Sequence, residues 1–166
     1  MPNQAIKPIN LALQGGGAHG AYSWGVLERI LEEERLQIEG ISGTSAGAMN
    51  AAVLVNGYAT GGRQGAIDKL YDFWRRVSEI GRFSPLSLFP LQRYVTGWNL
   101  DFSPALYWLD VMSRLWSPYD LNPFNINPLK DVMSKVLDFE VLTSCNDIKL
   151  FVAATHIESG QARVFH

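Results

Sequence analysis

The sequence predicts an α/β fold built on a largely parallel sheet covered on both faces by helices, and three observations carry that prediction. Short apolar runs alternate with helical stripes from Ile9 to Val77, two of those runs lead into glycine-rich turns, and each turn opens a helix. A β-α-β-α order of this kind forces crossover connections, which parallel strands require.

The first run, Ile9-Asn10-Leu11-Ala12-Leu13, reads as a strand and is followed by the cluster Gly15-Gly16-Gly17-Ala18-His19-Gly20. A helix is expected over about 21–34, with Tyr22, Val26, Leu27, Ile30 and Leu31 on one stripe. The second run, Ile38-Glu39-Gly40-Ile41, leads into Gly43-Thr44-Ser45-Ala46-Gly47 and then the alanine-rich stretch Ala46 to Val55, with Met49, Ala52 and Val53 on one face. Residues 56–62, Asn-Gly-Tyr-Ala-Thr-Gly-Gly, are expected to end that helix, and Ile67, Leu70, Tyr71, Trp74 and Val77 mark the next.

The pattern changes from Gly81 to Pro128. Six of the eight prolines fall there, among Phe83, Phe89, Tyr94, Trp98, Phe102, Tyr107, Trp108, Trp116 and Tyr119, which predicts an irregular aromatic excursion at about 81–128. Core packing, an apolar substrate rim or membrane-facing patch, and an oligomer contact are its alternative uses. Order is expected to return with Asn127 as N-cap, Pro128 in the first turn, and a stripe of Leu129, Val132, Met133, Val136 and Leu137. The last segment reads as a hairpin, Leu150 to Ala154 and Gln161 to Phe165, around Glu158-Ser159-Gly160.

A G-x-S-x-G pentapeptide between strand and helix is the turn that pushes a serine hydroxyl above an α/β sheet, where it can attack a carbonyl. Gly43 and Gly47 leave room where a Cβ would collide with backbone, and the N–H of Ala46 is offered to an oxyanion. The three consecutive glycines of the first loop leave further N–H groups free to converge on one anion, which assigns Gly16, Gly17 and Ala18 as additional donors beside the Ser45 nucleophile. Gly15-x-Gly17-x-x-Gly20 also satisfies the dinucleotide fingerprint, with Glu39 at the separation of a ribose ligand. A dinucleotide-binding protein is therefore a competing reading, although it leaves the serine turn unexplained.

With 14 basic and 16 acidic residues and a formal charge of -2, the chain has no electrostatic basis for nucleic-acid binding. At 166 residues it supports one sizeable core. No membrane span or signal peptide is visible, so a cytoplasmic location or one peripheral to a membrane is expected. The single Cys145 excludes an internal disulfide framework, and His19, His156 and His166 lack metal-ligand spacing. Neither a metal nor any other cofactor is expected.

The chain resembles the N-terminal part of a patatin-like phospholipase. The resemblance rests on residues 11–21, Leu-Ala-Leu-Gln-Gly-Gly-Gly-Ala-His-Gly-Ala, on residues 40–48, Gly-Ile-Ser-Gly-Thr-Ser-Ala-Gly-Ala, and on Phe151-Val152-Ala153-Ala154-Thr155 leading into Glu158-Ser159-Gly160. It implies a three-layer α/β/α fold and hydrolysis of fatty-acyl esters of phospholipids or other lipids by a serine–aspartate dyad. It also implies Ser45 as nucleophile, an oxyanion hole lined by Gly16, Gly17 and Ala18, and transient contact with a membrane surface. Arginine or lysine often stands in the family where this chain has His19, which makes His19 an auxiliary residue; as an imidazole on the adjoining loop it is alternatively the base.

The family's aspartate lies in an Asp-Gly-Gly or Asp-Gly-Ala motif, and neither occurs here. Asp68, Asp72, Asp101, Asp110, Asp120, Asp131, Asp138 and Asp147 all have other neighbours. The expectation is that residues 1–166 form part of an acyl hydrolase domain, partnered by the remaining C-terminal part of the protein, in the same or a separate chain, which supplies the aspartate. The alternative is a catalytically incomplete lipid-binding or interaction module.

Overall fold

A computed structural model of the chain describes residues 5–82 and 127–166. Nearly all of the expected aromatic excursion, with Asp101, Asp110 and Asp120, lies outside the described residues. Two compact units are formed, Met1–Arg75 with Val132–His166, and Arg76–Asp131. The first contains the sheet and every predicted site residue.

The described elements of the chain are strand β1 (Lys7–Leu13), a 3-10 turn (Gly17–His19), helix α1 (Gly20–Glu32), strand β2 (Leu36–Thr44) and helix α2 (Ala46–Arg82). Helices α3 (Pro128–Val136) and α4 (Phe139–Ser144) and strands β3 (Lys149–Thr155) and β4 (Ala162–Phe165) follow. The sheet order is β1-β2-β3-β4, with β1, β2 and β3 parallel and β4 antiparallel to β3. This is a mixed α/β architecture with a central sheet flanked by helices. β2 is central and buries Ile38, Gly40, Ile41 and Gly43, whereas β1 half-buries Ile9, Leu11 and Leu13 and exposes the residues between them. The expectation of cover on both faces therefore does not extend to β1: its alternation is that of a strand packed on one side.

Both strands begin earlier than their apolar runs, and β2 continues through Ser42, Gly43 and Thr44 to the serine itself. Pairing with β1 and β3 supplies the backbone bonds that hold these polar and small residues in the strand. The register slips between Ile9↔Ile38 and Asn10↔Gly40, which leaves Glu39 as the extra residue of a bulge. Glu39 thus sits mid-strand, away from the C-terminal edge where a ribose ligand must project.

α1 buries Leu27 and Leu31, each contributing about 1.5–3 kcal/mol by burial. The stretch 51–57 of α2 is buried throughout. The expected loop over 56–62 is much tighter than predicted: the helix persists to Thr60 and breaks only at Gly61 and Gly62, the latter at φ 62°. Asn56 is the reason. Its buried side chain donates to the Asp138 carbonyl oxygen at 2.6 Å and accepts from Lys69, so the polar residue that reads as a helix stop instead ties α2 to the start of α4.

α3 begins as predicted, with Asn127 Oδ1 accepting the Lys130 N–H at 3.0 Å and Pro128 as the first helical residue. α4 is an addition that the apolar pattern does not show. Asp138 caps it by accepting from the N–H groups of Glu140 and Val141 at 3.0 and 3.2 Å. The terminal hairpin forms where expected, with Val152↔Phe165 through Thr155↔Ala162 in register.

Candidate active site

β1 and β2 are parallel neighbours, so their C-terminal ends, and the loops that leave them, lie side by side. Leu13 pairs with Gly43, which brings the glycine loop against the serine turn. Ser45 follows β2 directly and has φ 49°, the sole positive value at a non-glycine residue among the described residues. A left-handed serine between a strand and a helix is strained by roughly 1–2 kcal/mol and persists only because the surrounding packing fixes it. It exposes Ser45 at the head of α2, where the Met49 N–H donates to the Ser45 carbonyl oxygen at 3.1 Å as the first helical bond.

The two flanking glycines are required by contact. A Cβ on Gly43 would stand 2.7 Å from the Ala48 nitrogen, and one on Gly47 would collide with the Leu13 carbonyl. Gly47 is therefore where the serine turn and the end of β1 press backbone against backbone. On the other loop, a Cβ on Gly15 would reach the Ser45 Cβ, and the Gly15 N–H donates to Thr44 Oγ1 at 3.1 Å. Gly20 fits closely too, because a Cβ there would lie 3.0 Å from both the Ala46 Cβ and the Trp74 ring.

The loop itself is a short 3-10 turn with Gly17 at φ 54°. Among the described residues, no hydrogen bond is made by the N–H groups of Gly16, Gly17, Ala18 or Ala46. These four donors lie on two touching loops beside the exposed Ser45. The head of α2 adds the positive end of a helix dipole. His19 lies on the same loop, with its ring Nδ1 3.1 Å from the Gly16 carbonyl oxygen.

Two side chains that hold this arrangement escape the sequence reading. Asn50 is fully buried; its Nδ2 donates to the Gly20 carbonyl oxygen at 2.9 Å, and its Oδ1 accepts from Trp74 Nε1 at 2.9 Å. Thr44 supplies the hydroxyl that receives the Gly15 N–H. The signal for Asn50 is a polar residue on the otherwise apolar face of the α2 helix; a strand-end Thr carries none.

Among the described residues, no side chain hydrogen-bonds the Ser45 hydroxyl. Asp68 accepts from Gln64, Asp72 pairs with Arg75, and Asp138 caps α4. No three His, Cys, Asp or Glu side chains converge as metal ligands among the described residues. A cavity of about 560 Å³ opens between α4 and the terminal hairpin, lined by Leu142, Cys145, Ile148, Phe151 and Phe165 among others, and no residue of the serine turn or glycine loop lines it.

No curated protein matches the chain. Among solved structures it is similar to a chain of the heterodimeric ExoU–SpcU complex from the type III secretion system of Pseudomonas aeruginosa, with 22% identity and a TM-score of 0.42. That similarity covers 98% of this chain and 33% of the other, so this chain spans about a third of its length. The family model for patatin-like phospholipases matches residues 11–163, a stretch that contains both touching loops and strand β3. The chain belongs to the patatin-like phospholipase family.

Proposed function

We propose that this chain carries the nucleophile and oxyanion hole of a serine acyl hydrolase that cleaves fatty-acyl esters of phospholipids or other lipids. The observation that carries the reading is Ser45: an exposed residue on a left-handed turn, packed against a loop in which the N–H groups of Gly16, Gly17 and Ala18 have no acceptor among the described residues. Family membership supports the lipid substrate class.

In the proposed reaction, an aspartate carboxylate outside this chain takes the Ser45 hydroxyl proton as Oγ attacks the ester carbonyl carbon. The carbonyl π bond opens, and the resulting oxyanion is held by the N–H groups of Gly16, Gly17, Ala18 and Ala46. Collapse of the intermediate breaks the ester C–O bond, and the leaving alcohol receives the proton from the carboxyl group. Water then attacks the acyl-serine by the same steps, releasing the fatty acid and restoring Ser45. One oxyanion donor is worth about 3 kcal/mol in such a site.

The base is assigned outside the chain because neither Asp-Gly-Gly nor Asp-Gly-Ala occurs in residues 1–166, and among the described residues no carboxylate hydrogen-bonds the Ser45 hydroxyl. The same observation favours the second reading, a lipid-binding module without turnover. No described helix is long and apolar enough to cross a membrane. Transient contact with a lipid surface is part of the proposal, and the remaining part of the protein is the proposed partner that completes the site.

Hydrolysis of a p-nitrophenyl acyl ester by the full-length protein separates the two readings. Turnover abolished by Ser45→Ala and by replacement of one downstream aspartate supports the hydrolase. Binding of lipid vesicles with no Ser45-dependent turnover supports the module.

A further inference from the structure

We propose that His19 is a positioning residue that locks the Gly16–Gly17 peptide so that the Gly17 N–H faces the oxyanion. The inference rests on the proposed acyl-hydrolase reading.

The Gly16 carbonyl oxygen receives two contacts from one residue, the His19 backbone N–H at 3.1 Å and the ring Nδ1 at 3.1 Å. A carbonyl oxygen only accepts, so the ring nitrogen that bonds it must carry a proton. In the neutral ring this places the hydrogen on Nδ1 and leaves Nε2 as the acceptor.

The chain has no cis peptide bonds among the described residues, and in a trans peptide the N–H points opposite to the C=O of the same unit. Pinning the Gly16 oxygen toward His19 therefore directs the Gly17 N–H away from His19. That N–H has no acceptor among the described residues.

The lock is needed because this peptide joins two glycines. Rotating it by half a turn changes only ψ of Gly16 and φ of Gly17, and glycine tolerates both outcomes. The observed state has Gly17 at φ 54°, whereas the flipped state returns φ to negative values. A flipped peptide would remove a donor and present a carbonyl oxygen to the oxyanion. The His19 backbone N–H alone opposes this in any variant, so the ring supplies the part that a substitution can remove.

The test compares His19→Ala, His19→Asn and His19→Gln in the full-length protein. The Asn amide nitrogen occupies the place of Nδ1, and the Gln amide nitrogen that of Nε2. Expected is a roughly tenfold or greater fall in kcat for His19→Ala with KM within about twofold, because loss of one oxyanion donor costs about 10²–10³. His19→Asn should recover most of the rate and His19→Gln should not. Long-range ¹H–¹⁵N correlation of the neutral His19 ring should find the proton on Nδ1.

Recovery by Gln and not Asn, an unchanged kcat in His19→Ala, a change confined to KM, or a proton on Nε2 would each overturn the proposal. Turnover that survives Ser45→Ala would instead overturn the hydrolase reading on which it rests, and the proposal with it. The Ser45 control thus separates the two failures.

Discussion

Gly15 lies so close to Ser45 that a Cβ on the glycine would stand 2.9 Å from the serine Cβ. The contact joins the end of the β1 loop to the serine turn, and the bond from the Gly15 N–H to Thr44 Oγ1 fixes the same pair of loops from the other side. The glycine loop and the serine turn are consequently one packed unit, and their spacing is set by these contacts.

Gly15→Ala should displace Ser45 while leaving the sheet intact. The expected outcome is a loss of turnover of about 10²-fold, the scale associated with an ångström of misplacement, with little change in far-UV circular dichroism. Turnover near that of the wild type in a folded Gly15→Ala protein would show that the contact does not place the serine.

Gly16→Ala and Gly17→Ala should differ. A Cβ on Gly16 meets only the His19 Cβ at an ordinary 3.5 Å, whereas Gly17 at φ 54° places any other residue in the left-handed region. That strain costs about 1–2 kcal/mol and is relieved by moving the N–H donors. Both substitutions are expected to lower kcat more than they raise KM, with Gly17→Ala the more damaging. Steady-state kinetics on the two purified proteins check the order.

Asn50→Ala removes one side chain, orphans the buried Trp74 indole N–H and takes from the Gly20 carbonyl its side-chain donor. Leaving a buried polar group unsatisfied costs about 1–3 kcal/mol. Urea unfolding should show a loss of roughly 2 kcal/mol or more. A midpoint within error of the wild type would mean that water or a neighbouring group replaces both bonds.

Arg35 holds the Glu33 carboxyl down to about 2 from its ordinary 4.5, chiefly through side-chain hydrogen bonds of 2.6 and 2.9 Å. A carboxyl held below its unfolded value stabilises the fold fully above about 4.5 and loses that contribution as pH falls toward 2. Both groups face solvent, so screening keeps the contribution small. Arg35→Ala should return the Glu33 titration toward 4.5 by NMR, with stability at neutral pH almost unchanged. A Glu33 midpoint that stays near 2 would assign the shift to another group.

The parts of this chain legible in its sequence are those written in local chemistry. Gly43 and Gly47 announce the serine turn, Asn127 and Pro128 the start of α3, and Ser159-Gly160 the final hairpin, because each residue type is demanded by its own backbone. Long-range relations left no such mark. Glu39 reads as an ordinary strand residue until the pairing of β1 with β2 makes it a bulge, and Asn56 reads as a helix stop until the carbonyl of Asp138, 82 residues on, accepts from its side chain. Asn50 and Thr44 belong to the same class: their partners lie 24 to 30 residues away, beyond any window in which periodicity operates.

The central claim is that Ser45 is the nucleophile, and mass-spectrometric localisation of a fluorophosphonate adduct tests it most directly. The full-length protein, treated with a reagent bearing a long acyl-like tail, should carry a single stoichiometric adduct on the peptide containing Ser45. The adduct and ester hydrolysis should both disappear in Ser45→Ala. An adduct on another serine, together with undiminished hydrolysis by Ser45→Ala, would contradict the account.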